Sequence, residues 1–247
     1  MRRTIFLLVA GLATLLCAGC VQLELTDDFD PPPGTLLFSS TFDNGSSAEW
    51  APVPDERYWI VKDGRYGLAE HAPSTEPQKT YGRLADWNGL PWQDYSITAQ
   101  VVFESSTWYP GPCDDYTSIL FHVVDDANYM ELRFEPFGGY ERAPKCQYPG
   151  PPGAGLILYS VISGKESRLG GVYVGLMGQA EYRVTIELRG QLCLVYEGMH
   201  LVLSTEEMWP CAGGIGFQTA ASHKPSELLE PASWYEVWFD DVYVKAF

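Results

Sequence analysis

An all-β fold, an antiparallel two-sheet sandwich of the jelly-roll type, is what this sequence predicts, and three observations carry it. Short runs alternate apolar and polar residues at period two. Glycine and proline, 24 and 18 of them, punctuate these runs throughout. No stretch keeps a 3.6-residue period between helix caps. Aromatic residues at 14% against 19% charged supply core material and argue against disorder.

The runs follow in order: YSITAQVVF, TSILFHVV, NYMELRFE, GLILYSVI, YRVTIELRG, QLCLVYEG, GIGFQTA and WYEVWFDDVYV. Each is long enough for one strand, and turn residues separate them. In YRVTIELRG, Tyr182, Val184, Ile186 and Leu188 share one face, while Arg183, Thr185, Glu187 and Arg189 share the other. That pattern describes a sheet with one dry and one wet side. In NYMELRFE, Met130, Leu132 and Phe134 turn to the core, so Tyr129, Glu131, Arg133 and Glu135 look outward together.

Two segments precede the sandwich. Residues 1–20, MRRTIFLLVAGLATLLCAGC, carry Arg2 and Arg3, an apolar run from Ile5 to Leu16, and small residues before a cysteine. This is the pattern of an export signal, too short to span as a stable membrane helix. Its CAGC end resembles the bacterial lipobox, which implies a lipidated Cys20 as the anchor; Cys17 stands where that motif usually has Leu, Val or Ile. Residues 21–35 are acidic and then proline-rich, a stiff tether. Residues 36–247 form the sandwich domain, large enough for a real core. The expected location is the bacterial cell envelope, on its periplasmic or surface face, with the lipid as the only membrane contact.

Charge narrows the partners. The formal charge is −16, and losing Arg2 and Arg3 with the signal makes it −18. Such a chain repels phosphate backbones, so nucleic acid is excluded as a partner. Cys113, Cys146, Cys193 and Cys211 remain after export, an even number without CxxC spacing. In an oxidising compartment they read as disulfides, not as a zinc site. Three pairings are open; Cys113 with Cys146 and Cys193 with Cys211 is the one favoured.

The succession FSSTFDNGSSAEW, YWIVKDGRYGLAE, YSITAQVVF, TSILFHVVDDANYMELRFE, YRVTIELRGQLCLVYEG, GGIGFQTA and WFDDVYVKAF resembles the concanavalin A-like lectin/glucanase superfamily. Its nearest flavour is the laminin G-like and three-keto-disaccharide-hydrolase-like domains of bacterial exported proteins. The resemblance implies two sheets packed face to face, one bent into a concave surface that commonly receives carbohydrate and holds the NYMELRFE strand. It further implies a structural calcium held by an aspartate of the last strand, here Asp240, with Asp43 as second contributor; hard oxygen ligands suit that ion. No other cofactor is expected.

Glu131 and Glu135 invite a glycosidase reading, because glycoside hydrolysis needs two carboxyl groups about 5–9.5 Å apart. Four residues along a flat strand put their α-carbons roughly 13 Å apart. Family 16 glycoside hydrolases of this superfamily solve this with ExDxE on a concave strand. Here Arg133 replaces the aspartate, and a guanidinium between two glutamates favours their charged forms, against keeping one as a general acid. A polar face that contacts a ligand through Tyr129, Glu131, Arg133 and Glu135 fits better. Trp87, Trp92 and Trp108, set among Gly and Pro, are expected to stack on sugar rings or to cap the sandwich ends. Trp50, Trp59, Trp234 and Trp238 fall within regular alternation and read as structural. His122 lacks a nucleophile motif nearby and reads as a hydrogen-bonded structural residue.

The function these readings favour is non-catalytic recognition of carbohydrate, a cell-envelope glycan, by the concave face. A glycoside hydrolase using Glu131 or Glu135 is the alternative, and a structural or adhesion module that binds protein is the second.

Overall fold

The computed structural model describes residues 33–53, 59–68, 78–84, 90, 92–105, 116–135, 155–173, 180–209, 211–221 and 235–247; among these are fifteen strands and no helix. The first sheet runs β13 (His200–Thr205), β12 (Leu192–Glu197), β11 (Ala180–Arg189), β6 (Tyr95–Ser105), β15 (Tyr235–Ala246), β4 (Arg65–Leu68) and β3 (Trp59–Lys62), with β1 (Leu36–Ser40) also on β15. The second runs β10 (Lys165–Tyr173), β9 (Gly155–Ile162), β8 (Asn128–Glu135), β7 (Tyr116–Asp125), β14 (Gly214–Ala221), β5 (Gln78–Leu84) and β2 (Trp50–Val53). Every pairing is antiparallel. The predicted two-sheet jelly-roll sandwich is therefore the fold.

The eight predicted runs become β6, β7, β8, β9, β11, β12, β14 and β15, and seven further strands complete the sheets. Those seven are short or weakly apolar, and two of the hairpins that create them are set by their turns. Asp63–Gly64 joins β3 to β4 with φ of 52° and 75°, and Ser163–Gly164 joins β9 to β10 with φ of 52° and 74°. Both central residues lie in the left-handed region, as the two-residue turn that matches strand twist requires.

Alternation sorts the faces as predicted. Val184, Ile186 and Leu188 of β11 and Met130, Leu132 and Phe134 of β8 are all buried in the core between the sheets. Beneath β14 and β15 the core is aromatic: Phe217 stacks on Phe239 at 3.8 Å and on Trp50 at 4.9 Å, and Trp59 packs on Tyr66 at 5.2 Å. Such pairs contribute about 0.5–1.5 kcal/mol each beyond area burial. The density leaves no room at Gly82, where a Cβ would lie 2.7 Å from both the Trp59 and the Tyr66 ring. Trp50, Trp59 and Trp238 are buried, in keeping with a structural role; Trp234 lies outside the described residues.

The expected Cys193–Cys211 bridge is not formed. Cys193 is a free thiol, and burial pushes it up to about 12. Cys211 is disulfide-bonded, with its partner outside the described residues. The reason is strand phase: alternation along β12 turns Cys193, with Val195, into the apolar core between the sheets. Cys20, Cys113 and Cys146 lie outside the described residues.

Candidate functional site

The middle strands of the second sheet place a dense group of polar and aromatic side chains on the side facing away from the core. The register fixes which residues meet. Arg133 of β8 pairs with Ser118 of β7 and Ile157 of β9, Ser118 with Gln218 of β14, and Gln218 with Tyr81 of β5. One row along, Glu131 pairs with Tyr159 of β9. Because each strand alternates, all of these point to the same side.

Facing away from the core does not mean facing water. Glu131 is 0% exposed, Arg133 6%, and Ser118, Gln218 and Tyr129 are buried as well. Buried polar groups at this depth must satisfy one another. Arg133 donates from Nη2 to Glu131 Oε1, and from the same nitrogen to Glu166 Oε1 of β10 at 2.6 Å. Ser118 Oγ donates to Glu131 Oε2 at 3.1 Å. Gln218 Nε2 donates to the Tyr116 hydroxyl at 2.8 Å, and the Tyr129 hydroxyl reaches Gln218 Oε1 at 3.5 Å. The guanidinium lies 4.1 Å from the ring centroids of both Tyr116 and Tyr159, within cation–π range. Its Nε is buried with no hydrogen-bond partner among the described residues.

The electrostatics follow from this packing. Burial first, and the charge of Glu131 second, push the phenols of Tyr116 and Tyr129 well above the ordinary tyrosine range. Tyr81 is raised for the same leading reason, burial, with a side-chain hydrogen bond between it and Tyr129 acting in the opposite sense. The tyrosines therefore stay neutral and available as hydrogen-bonding and stacking groups.

Of the residues predicted from sequence, the structure brings Tyr129, Glu131 and Arg133 together. The backbone of Glu135 continues β8 opposite Gly155, and its side chain lies outside the described residues, as do Trp87 and Trp108. Trp92 is elsewhere: it packs edge-on against Tyr95 at 5.9 Å, and its carbonyl accepts from the Gly213 N–H at 3.1 Å, at an end of the core. His122 belongs to that same end. Its Nδ1 lies 3.3 Å from the Trp209 carbonyl and its Nε2 3.1 Å from the Gln93 carbonyl, and burial holds it below the usual histidine range.

Of the two carboxylates expected to hold calcium, Asp240 lies within the electrostatic reach of Asp43. Asp240 is raised chiefly by burial, then by the charges of Asp241 and Asp43, while the Asp241 N–H and Arg65 act in the opposite sense. Among the described residues no group of three or more His, Cys, Asp or Glu side chains is disposed to hold a metal ion.

Tyr81, Tyr116, Ser118, Tyr159, Glu166 and Gln218 were not singled out from the sequence. Period-two phase within TSILFHVV, GLILYSVI and GIGFQTA carries the outward positions of Ser118, Tyr159 and Gln218. Glu166 needed the Ser163–Gly164 turn to be recognised as a hairpin.

No family model matches the chain, and no curated protein does. Solved structures do. The carbohydrate-binding module CBM66 from Bacillus subtilis superposes with a TM-score of 0.54 at 10% identity, over 80% of this chain and 96% of that one. The VIP36 exoplasmic/lumenal domain, in a Ca2+/Man3GlcNAc-bound form, gives 0.57 at 9% identity, over 86% and 90%. The Bacillus licheniformis beta-glucanase gives 0.55 at 11% identity, over 87% and 99%. At such identities these likenesses speak for architecture alone. The two-sheet sandwich of this chain is of the concanavalin A-like kind.

Proposed function

We propose that the protein is an exported, non-catalytic carbohydrate-recognition module whose ligand meets the outer face of the second sheet. One observation carries this reading. Four tyrosines, Tyr81, Tyr116, Tyr129 and Tyr159, frame a hydrogen-bonded network of Arg133, Glu131, Ser118 and Gln218. Rings that stack and polar groups fixed in place are what sugar recognition needs, since a pyranose offers an apolar face and a ring of hydroxyls. Tyr116 and Tyr81 are half-buried and Glu166 is exposed, so the ligand enters at this rim, over the Arg133–Glu131 pair that the surrounding network fixes in place. Neighbours of the same architecture, a carbohydrate-binding module and a glycan-bound lumenal domain, support the reading by analogy.

Hydrolysis at Glu131 is disfavoured by the same geometry. Both of its oxygens are engaged, by Arg133 and by Ser118, leaving neither placed to pass a proton to a leaving group. The deciding experiment incubates the purified protein with a panel of neutral and acidic polysaccharides, reading retention on polymer and release of reducing ends together. Retention without release is expected. Release abolished by Glu131→Gln would replace this reading with the glycosidase, and absence of both would favour a protein-binding module.

Two further parts of the proposal have their own tests. Lipidation at Cys20 predicts incorporation of labelled fatty acid that Cys20→Ser abolishes. A structural calcium would take Asp43 and Asp240 as its carboxylate ligands, completing its six to eight oxygens from carbonyls and water. Burial chiefly, and the nearby charges of Asp241 and Asp43 in addition, raise Asp240, and a cation held there would offset that cost. Calcium then raises the melting temperature, and Asp240→Asn removes that response.

A further inference from the structure

We infer that the ligand of this face carries a carboxylate, and that Glu166 stands in its place on Arg133 when no ligand is bound. The inference rests on the glycan-recognition reading and adds its chemical class: an acidic glycan, such as a polymer of uronic acid.

The two carboxylates on Arg133 are unlike. Glu131 is 0% exposed and is also held by Ser118, so it cannot leave without stranding a buried cation. Glu166 reaches in from β10, which is the edge strand of the sheet, and its side chain remains 37% exposed. Returning a half-wet carboxylate to water costs far less than extracting a dry one. The Arg133–Glu166 contact is therefore the one that exchanges, and it shows that a carboxylate on this side of the guanidinium can be accommodated at 2.6 Å.

The guanidinium also has capacity to spare. Glu131 and Glu166 both take Nη2, whereas Nε–H is buried and unpartnered among the described residues. An unmet buried donor is costly, and planar recognition of a carboxylate commonly uses two nitrogens of one guanidinium. A ligand carboxylate gives two oxygens where Glu166 gives one to Arg133. Tyr116 and Tyr159, each 4.1 Å from the guanidinium carbon, hold its plane in position for that geometry.

The exchange adds one negative charge to a chain that already carries −16, because Glu166 stays tethered to β10, but once turned into solvent its charge is screened by water and salt. Arg168 adds a second cation at the rim: it is exposed, lies two residues beyond Glu166 on the same strand, and pairs in register with Tyr159.

The test compares polygalacturonate with its fully methyl-esterified form, which has the same backbone and no carboxylate. Binding of both polymers is measured by calorimetry for the intact protein and for Glu166→Gln, which removes the internal competitor's charge and keeps its shape. Polygalacturonate is expected to bind and to bind about tenfold or more tighter to the variant, with salt weakening it and the ester gaining nothing. Arg133→Lys, which keeps the charge and loses the planar fork, should abolish the difference between the two polymers. If Glu166→Gln leaves polygalacturonate binding unchanged or weaker, or strengthens the ester equally, the carboxylate assignment fails. Retention of neutral polymers alone, in both proteins, overturns this inference and leaves glycan recognition standing. No retention of any polymer removes both.

Discussion

The two outer faces of this sandwich are built from the same alternation, and their polar residues end in opposite states. On the first sheet, Ser96, Thr98, Gln100, Arg183, Thr185, Glu187 and Lys245 are partly or fully exposed, and their contacts are single and open, such as Thr98 with Thr185 at 3.0 Å. On the second sheet, Glu131, Ser118, Gln218, Tyr129 and Arg133 are buried and linked into one network. A polar residue in an outward phase is thus either a solvated surface or part of a dry framework. Dielectric surroundings, and not residue type, decide which.

The largest effect that follows is on Arg133. Replacing it with Met should cost about 3–5 kcal/mol in urea unfolding, because Glu131 is left buried and charged without the guanidinium that neutralises it. Adding Glu131→Leu should recover much of that loss, since a buried pair is often replaceable by apolar groups of similar volume. If the single and double variants are equally unstable, the pair is not the strut described here. On the other face, Arg189 is 54% exposed beside Glu187 at 3.3 Å, and Arg189→Ala should cost only about 0–1 kcal/mol.

Gln218→Ala removes a buried amide that serves two tyrosines and should cost about 1–3 kcal/mol, seen as a lower urea midpoint with unchanged slope. A midpoint equal to that of the parent protein would show the network to be slack.

Titration sharpens the contrast further. Tyr116 and Tyr129 are raised in the folded protein, so above the ordinary tyrosine value of about 10 the unfolded chain releases protons that the folded one keeps. Stability therefore falls as pH rises past that value, and ultraviolet titration should find these phenols ionising only with unfolding. His122 acts at the acid end. Being held below about 6.5, it binds its proton more readily when unfolded, so stability falls as pH drops through and below that value. Urea midpoints between pH 8 and 5 that do not move would contradict a buried neutral His122.

The smallest effect is expected on the wet face, where Thr185→Val breaks a cross-strand hydroxyl pair worth about 0.2–1 kcal/mol.

The sequence spoke clearly where burial and period coincide. A run such as YRVTIELRG announces a strand because every second residue must leave water, and Met130, Leu132 and Phe134 of NYMELRFE are in the core by the same alternation. It was quiet where strands are weak: β10 reads KESRLGGVY, with little apolar repeat, and only its turn betrays it. The pairing of Cys193 was misread because a cysteine looks the same to a sequence whether it bonds or packs.

A third of the candidate site was legible. Tyr129, Glu131 and Arg133 lie on one strand, so period two alone groups them. Tyr116, Tyr159, Glu166 and Gln218 come from β7, β9, β10 and β14, separated by up to about a hundred residues, and only strand order and register bring them to Arg133. By itself, then, the sequence determined the sandwich, its buried faces and the outward phase of β8, since these follow from local alternation and the cost of wetting apolar surface. Tertiary structure decided that this outward face is dry, that Arg133 is shared between Glu131 and Glu166, and that Trp92 serves the core's end. Burial and pairing between distant strands are properties of the assembled sheet, and no single strand contains them.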